Sequence, residues 1–308
     1  MRILITGIHG FVGSNLVAYL APENEIFGLD IIAPEKDGVV KTYSWEDLDK
    51  GLVTEVDAII HLAGKAHDTK NKAAADVYFK VNTGLTQKMF DYFLSSSARK
   101  FVFFSTAKAA ADKVDGVLTE DVVPAPVGPY GESKIAAEKY ILEKMDNEKQ
   151  VYIFRPCMIH GPGNKGNLNL LYNVVRKGIP WPLGAFENRR TFTSVENICF
   201  AVNGVLRKDV PSGIYNMGDD EALSTNELIE EICKSLGKKP HIWHLHKGLM
   251  TGLARVGGWL HLPLNPERLR KLTENYISSN AKIKKALGVD HLPVDARTGL
   301  KVTLDSFK

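Results

Sequence analysis

Cysteine is scarce in this chain. Its 308 residues hold three, Cys157, Cys199 and Cys233, odd in number and widely spaced. That pattern makes neither a disulfide framework nor a metal site, and it fits a reducing cytoplasm. A surplus of either charge is also missing. Lys and Arg exceed Asp and Glu by only three, which argues against nucleic acid as a partner. No apolar run reaches the ~20 residues of a membrane span. Residues 1–6 read as a core strand, which leaves no place for a leader peptide. There is no internal repeat, low-complexity tract or flexible linker. What is present, 44% hydrophobic and 24% charged residues, suits a globular enzyme with a full α/β core and a smaller second lobe.

The first thirty residues form one unit. Arg2-Ile3-Leu4-Ile5-Thr6 is a short apolar run that suits a buried parallel strand. Gly7-Ile8-His9-Gly10-Phe11-Val12-Gly13 follows, and Phe11, Val12, Leu16, Val17 and Leu20 then recur at helical spacing. Strand, glycine turn and helix in that order let the backbone approach a pyrophosphate and turn a helix N-terminus toward it. The spacing G-x-x-G-x-x-G is weak as a bare pattern and strong in this context. A second strand, Glu25 to Asp30, ends in an acid 17 residues after Gly13. A carboxylate there accepts from ribose hydroxyls and repels a 2′-phosphate, which favours NAD over NADP. A turn or helix-capping Asp is the plainer alternative.

Strand–helix alternation continues. Further strands are expected at Val56–Leu62, Lys100–Phe104 and Val151–Phe154, with helices over 71–95 and 129–148. Val77, Val81, Leu85, Met89 and Phe93 would line one face of the first helix. Five strands with helices between them imply a doubly wound parallel sheet that binds ligands at the carboxyl ends of its strands. Gly7, Asp30, Ala63, Thr106 and Arg155 would lie there. Past residue 155, Pro and Gly become dense around a helix near 167–177. We expect a dinucleotide domain over 1–165 and a substrate lobe over 166–308, with segments near 187–218 returning to the first domain. His241, His244 and His246 have no acid or Cys at ligand spacing, so no metal is expected. The apolar stretch Gly248–Leu260 reads as a helix roofing the lobe, with membrane-surface anchoring as the alternative.

Tyr130-Gly-Glu-Ser-Lys134 carries the chemistry. Four residues apart on a helix, Tyr130 and Lys134 share a face. A nearby ammonium favours the phenolate and lowers its ordinary pKa of ~10. Such a pair can exchange a proton with a sugar hydroxyl or ketone. Alone it would more often be a solvated surface pair, but it follows a glycine loop and a strand ending in Ser105-Thr106.

Together these pieces resemble the extended short-chain dehydrogenase/reductase family, in its branch of NAD-dependent nucleotide-sugar epimerases and dehydratases. The resemblance covers nearly the whole chain. It rests on Gly7-x-x-Gly10-x-x-Gly13, Asp57 with His61-Leu62-Ala63-Gly64, Val81-Asn82-Thr83, Ser105-Thr106, Tyr130-x-x-x-Lys134, Arg155-Pro156, Gly161-Pro162-Gly163, Arg190-Thr191-Phe192 and Gly213–Gly218. It implies a Rossmann-type sheet, NAD, a UDP-sugar substrate and a homodimer through helices 71–95 and 129–148. It makes Tyr130 the acid/base, Lys134 the ribose ligand that lowers its pKa, and Thr106 the holder of the sugar C4 oxygen. Gly7, Gly10, Phe11, Val12, Gly13, Asp30, Leu62, Ala63, Gly64, Asn82, Ser105 and Arg155 would line the cofactor, with Asp57 near the adenine. Lys108, Asn167, Arg190 and either Arg268 or Arg270 would meet the substrate, where the planar arginine fork suits phosphate.

The departures narrow the chemistry. The family's 4,6-dehydratases follow the catalytic Thr with an Asp-Glu pair, whereas Ala107-Lys108 stand here. Many 4-epimerases have a Tyr-Gly where this chain has Ala110-Ala111, and His160 replaces a usual Tyr. Ala66-His67-Asp68, Ser105–Lys108, Gly161–Asn167 and Pro182–Arg190 resemble 4-ketoreductases of bacterial surface-polysaccharide synthesis. A UDP-4-keto-6-deoxy-sugar reductase is therefore expected ahead of a UDP-sugar 4-epimerase. A non-catalytic dinucleotide sensor would not need Thr106, Tyr130 and Lys134 together.

Overall fold

In the computed structural model, which describes residues 1–32, 34–65, 74–260 and 264–308, side chains alternate between two buried faces along each central strand. Ile3 and Ile5 join one apolar cluster and Leu4 the other. The same split separates Ile60 from Ile59, Val102 from Phe101 and Tyr152 from Val151. A sheet covered on both faces produces such uninterrupted apolar strands. Helices Phe11–Leu20 and Val195–Arg207 cover one face, and Leu85–Ser95 and Pro129–Lys144 the other.

The sheet has seven strands, all parallel, where five were expected. Their spatial order is Gly213–Met217, Gln150–Pro156, Lys100–Phe104, Ala58–His61, Arg2–Thr6, Glu25–Asp30 and Lys41–Ser44. The direction of winding reverses between Arg2–Thr6 and Ala58–His61. The carboxyl ends of those two strands, Thr6 and His61, are register partners, and such a switch point is where open α/β sheets bind ligands.

The expected helix over 71–95 is interrupted. Its first three residues lie outside the described chain. From Ala75 it runs as a short α-helix to Tyr78, a wide π turn over Phe79–Gly84 and an α-helix over Leu85–Ser95. The extra residue of the π turn shifts the buried line to Tyr78, Asn82 and Thr86, leaving Val77 exposed and Val81 and Leu85 partly covered. Met89 and Phe93 face the core as expected. Past residue 156 a three-stranded sheet of Met158–His160, Arg190–Ser194 and Ala222–Leu223 sits beside an apolar cluster of its own, built from helices Asn167–Arg176, Thr225–Ser235 and Ala296–Asp305.

Candidate active site

At the first strand end, Gly7 N donates to Leu29 O, and Gly10 N closes the turn on Gly7 O. A β-carbon at Gly13 would stand 2.6 Å from Gly7 O, so only glycine lets the helix start this close to the turn. Gly10 caps that helix with no side chain, which leaves its first N–H groups directed outward. Asp30 belongs to the same loop. Its carboxylate accepts from His9 N at 3.1 Å and Ile31 N at 2.8 Å. Phe11 lies under Gly161 and Gly163, and Asn15 Nδ2 reaches Pro162 O at 3.1 Å, so the Gly161-Pro162-Gly163 segment covers the helix start.

A buried hydrogen-bond chain then builds the neighbouring loop. Thr6 Oγ1 accepts from Leu62 N at 3.1 Å and Ala63 N at 3.0 Å, and it meets His61 Nδ1 at 2.7 Å. His61 Nε2 is 3.1 Å from Thr86 Oγ1, which donates to Asn82 O at 2.6 Å. Because the Thr86 hydroxyl is committed to that carbonyl, it accepts from Nε2–H, and Nδ1 accepts from Thr6. Burial, aided by Lys134, pushes His61 down to about 3, so the ring is neutral. Asn82 grips the loop from the other side. Its Oδ1 accepts from Lys65 N at 2.7 Å, and its Nδ2 donates to Ser133 Oγ at 3.0 Å. Residues 62–65 are thus held at both ends, against the helix that carries Lys134.

That helix, Pro129–Lys144, opens with Tyr130. A β-carbon on Gly131 would meet Lys108 O at 2.7 Å, so glycine is what allows the helix to press against the Thr106–Ala110 turn. Tyr130 is hydrogen-bonded to Thr106, whose Oγ1 also caps that turn by accepting from Lys108 N at 3.3 Å. Thr106, Tyr130 and Lys134 therefore meet at the carboxyl edge of the sheet. One expectation needs correction. Tyr130 lies above the usual phenol range, raised by burial, with the Thr106 hydrogen bond opposing and Tyr78 adding to the rise. Lys134 has an acceptor of its own. The ammonium donates to Phe104 O at 2.8 Å, sits 4.9 Å from the Phe103 ring centre, and is itself pushed down to about 8 by burial, with Glu138 opposing.

Two expected cofactor ligands are committed inside the protein. Ser105 Oγ donates to Glu138 Oε1, and Arg155 binds the same carboxylate through Nε at 3.0 Å and Nη2 at 2.5 Å. Arg155 and Glu138 form a buried ion pair behind the site. Asp57 is at the wrong edge. It precedes the strand Ala58–His61, at the amino end, and accepts from Arg2 N at 2.7 Å. Four residues at ~3.3 Å each separate it from the ligand edge, so it does not stand near an adenine pocket beside Asp30. The residue beside Asp30 is Ser44, its register partner at the end of the last strand, followed by Trp45. Reading the sequence missed both, because Lys41–Ser44 is too short and polar to announce a strand.

On the substrate side, two cations meet Asp112 and a third, Arg190, lies by Tyr276 and Cys157. Lys108 Nζ lies 3.1 Å from Asp112 Oδ1 and Arg270 Nη2 3.3 Å from Oδ2. Arg190 Nη1 donates to Lys271 O at 2.6 Å, and its charge is felt by Tyr276 and Cys157. Of the two C-terminal arginines, Arg270 joins this group, whereas Arg268 is exposed on the helix Pro266–Thr273. Asn167 opens the helix Asn167–Arg176, exposed, and no hydrogen bond among the described residues ties it to these cations. His160 turns inward, to Thr303 Oγ1 at 2.8 Å and Asp219 Oδ2 at 3.5 Å. The Ala66-His67-Asp68 motif lies outside the described residues.

The model of the NAD dependent epimerase/dehydratase family matches residues 3–218. This chain belongs to that family. It is 30% identical over 255 residues to a UDP-glucose 4-epimerase of Vibrio cholerae, covering 77% of this chain and 76% of that one. It is 27% identical over 295 residues to the N-acetyl-alpha-D-glucosaminyl-diphospho-ditrans,octacis-undecaprenol 4-epimerase of Escherichia coli O157:H7, covering 92% and 85%. The UDP-glucuronic acid 4-epimerase from Bacillus cereus, solved in complex with NAD, has the same fold, with a TM-score of 0.77 at 20% identity over 100% of this chain and 98% of that one. The family member described here is an enzyme, and its cofactor is NAD. The residues fit that group: a glycine cradle that a β-carbon would fill, an uncapped helix N-terminus above it, and the Asp30 carboxylate one strand away.

Proposed function

We propose that this enzyme oxidises and reduces C4 of a UDP-hexose, and that its working direction is reduction of a UDP-4-keto-6-deoxy sugar of the N-acetylquinovosamine type. The observation that carries the reading is the meeting of Thr106, Tyr130 and Lys134 beside the glycine loop. NAD, when bound, supplies the hydride chemistry. Tyr130 exchanges the proton at the C4 oxygen, and Thr106, already its hydrogen-bond partner, holds that oxygen in line. The raised pKa keeps Tyr130 a phenol at neutral pH, the form that protonates a ketone oxygen during reduction. Lys134, fixed on Phe104 O, places a cation at the ribose side of the site.

Asn167, Arg190 and Lys108 would take the substrate diphosphate, with Arg270 as the C-terminal member in place of Arg268. Among the described residues, no acid–base pair for water elimination follows Thr106. Ala107 is buried, and the Asp112 carboxylate is held between Lys108 and Arg270. A homodimer through the outer faces of helices Leu85–Ser95 and Pro129–Lys144 is part of the proposal, and light scattering on the purified chain tests it.

The second reading, UDP-sugar 4-epimerisation, is favoured by the Vibrio cholerae relative. Such an enzyme oxidises C4, rotates the ketone and reduces it from the other face. Supplying UDP-4-keto-6-deoxy-N-acetylglucosamine with reduced NAD separates the two. Stoichiometric loss of the nicotinamide absorbance supports the reductase. Constant absorbance with interconversion of UDP-glucose and UDP-galactose would replace it with the epimerase.

A further inference from the structure

The helix Lys247–Trp259 is buried along one line only. Met250 and Ala254 pack with Leu183 and Leu269, and Gly257 lies on the same side. A second stripe, Leu249, Leu253, Val256 and Leu260, follows the i, i+4, i+7, i+11 spacing of a single helix face, and every member is at least 50% exposed. Trp259 at its end is 81% exposed, and Trp243, in the segment leading into the helix, is 54% exposed. Scattered exposed apolar residues are ordinary, but a continuous stripe with two tryptophans marks a surface that something covers.

The charge around the stripe says what that is. Residues 238–273 contain seven Lys and Arg against one acid, Glu267, while the whole chain is only +3. The remainder is therefore net acidic, and although Arg270 and Lys271 are held in ion pairs with Asp112, Glu274 and Glu267, the segment that bears the stripe keeps a basic surplus. Lys239, Lys247 and Arg255 are exposed, and no carboxylate among the described residues pairs with them. A second copy of the chain would bring these like charges face to face, which a two-fold interface does not tolerate well. At 13 residues the helix is about 20 Å long, too short for a ~30 Å hydrocarbon core. It has instead the composition of a helix lying in the membrane interface. Its apolar stripe would enter the acyl boundary, its tryptophans would sit at headgroup level, and its Lys and Arg would reach phosphate.

We propose that Lys247–Trp259 docks this enzyme on the surface of a membrane that carries anionic lipid. The helix packs on Pro266–Thr273, which carries Arg270 of the cationic group near Asp112, so docking would bring the substrate side of the site close to the bilayer.

Co-sedimentation of the full chain with vesicles tests this. Wild type should pellet with phosphatidylethanolamine/phosphatidylglycerol vesicles, its tryptophan emission should shift to the blue, and its affinity for phosphatidylcholine vesicles should be roughly ten- to a hundredfold weaker. The double variant Leu253→Glu/Val256→Glu should stay in the supernatant while NAD binding and the melting temperature remain those of wild type. Three results would overturn the proposal: wild type left in the supernatant, the double variant pelleting equally well, or vesicle-free self-association of wild type that the variant abolishes.

Discussion

The corner around Tyr130 and the helix Lys247–Trp259 treat similar side chains in opposite ways. In the corner, Thr6, His61, Thr86, Asn82 and Ser133 hold one another in a closed chain of hydrogen bonds, and Lys134 and Arg155 each have a fixed acceptor. On the helix, Lys247 and Arg255 have no carboxylate partner among the described residues, and leucines face water. The first arrangement fixes a few atoms to fractions of an ångström, as proton transfer in a set geometry requires. The second fixes nothing, and suits a partner that is fluid. The comparison separates positions where a small change should abolish turnover from positions where a large change should leave it intact.

The largest effect belongs to the corner. Tyr130→Phe should lower turnover by a factor of roughly 10²–10⁴, with NAD binding by equilibrium titration unchanged. Near-normal turnover would remove Tyr130 from the chemistry. Gly131→Ala should come next. The added carbon collides with Lys108 O and separates the helix from the Thr106 turn. A loss of about 1–3 kcal/mol in denaturant unfolding is expected, together with slower turnover at unchanged NAD affinity. An unchanged unfolding midpoint would mean that the helix is free to move.

A third effect, read as a slope, concerns pH. His61 is held at about 3 in the folded chain against an ordinary value of 6.5. Between those values the unfolded chain binds more protons, so its contribution is fully present above 6.5 and is lost as pH falls toward 3. Its share of the slope is at most about 1.4 kcal/mol per pH unit. His61→Asn should flatten stability against pH in that window, and an identical slope would show that other groups dominate. The smallest effect belongs to the exposed helix, where Leu253→Glu/Val256→Glu should change unfolding stability by no more than about 0.5 kcal/mol.

Much of the corner was legible because local rules decide it. Apolar β-branched runs became the central strands, and the glycine spacing became the close contact of Gly13 with Gly7 O. Where tertiary context decides, sequence reading failed. Lys41–Ser44 buries only Tyr43, so it carries no strand signal until a neighbouring strand pairs with it. Nothing in the helical periodicity announces the π turn that moves Asn82 inward. Asp57 sits in a recognisable motif, but at the end of its strand away from the ligand. Four-residue spacing says that Tyr130 and Lys134 share a helix face and not which acceptor each finds, here Phe104 O for the ammonium. The motif His61-Leu62-Ala63-Gly64 gives His61 no role by itself. Its place opposite Thr6 at the switch point appears only once the strands are paired.

The central claim is oxidation and reduction at C4, and isotope transfer tests it most directly. The chain with bound NAD would be incubated with a UDP-hexose carrying deuterium at C4, and the released cofactor and sugar weighed by mass spectrometry. The account predicts deuterium on the nicotinamide ring, and no such transfer in Tyr130→Phe over the same time. Deuterium that washes into solvent as product accumulates, or a nicotinamide ring that stays unlabelled in enzyme quenched during turnover, would contradict it.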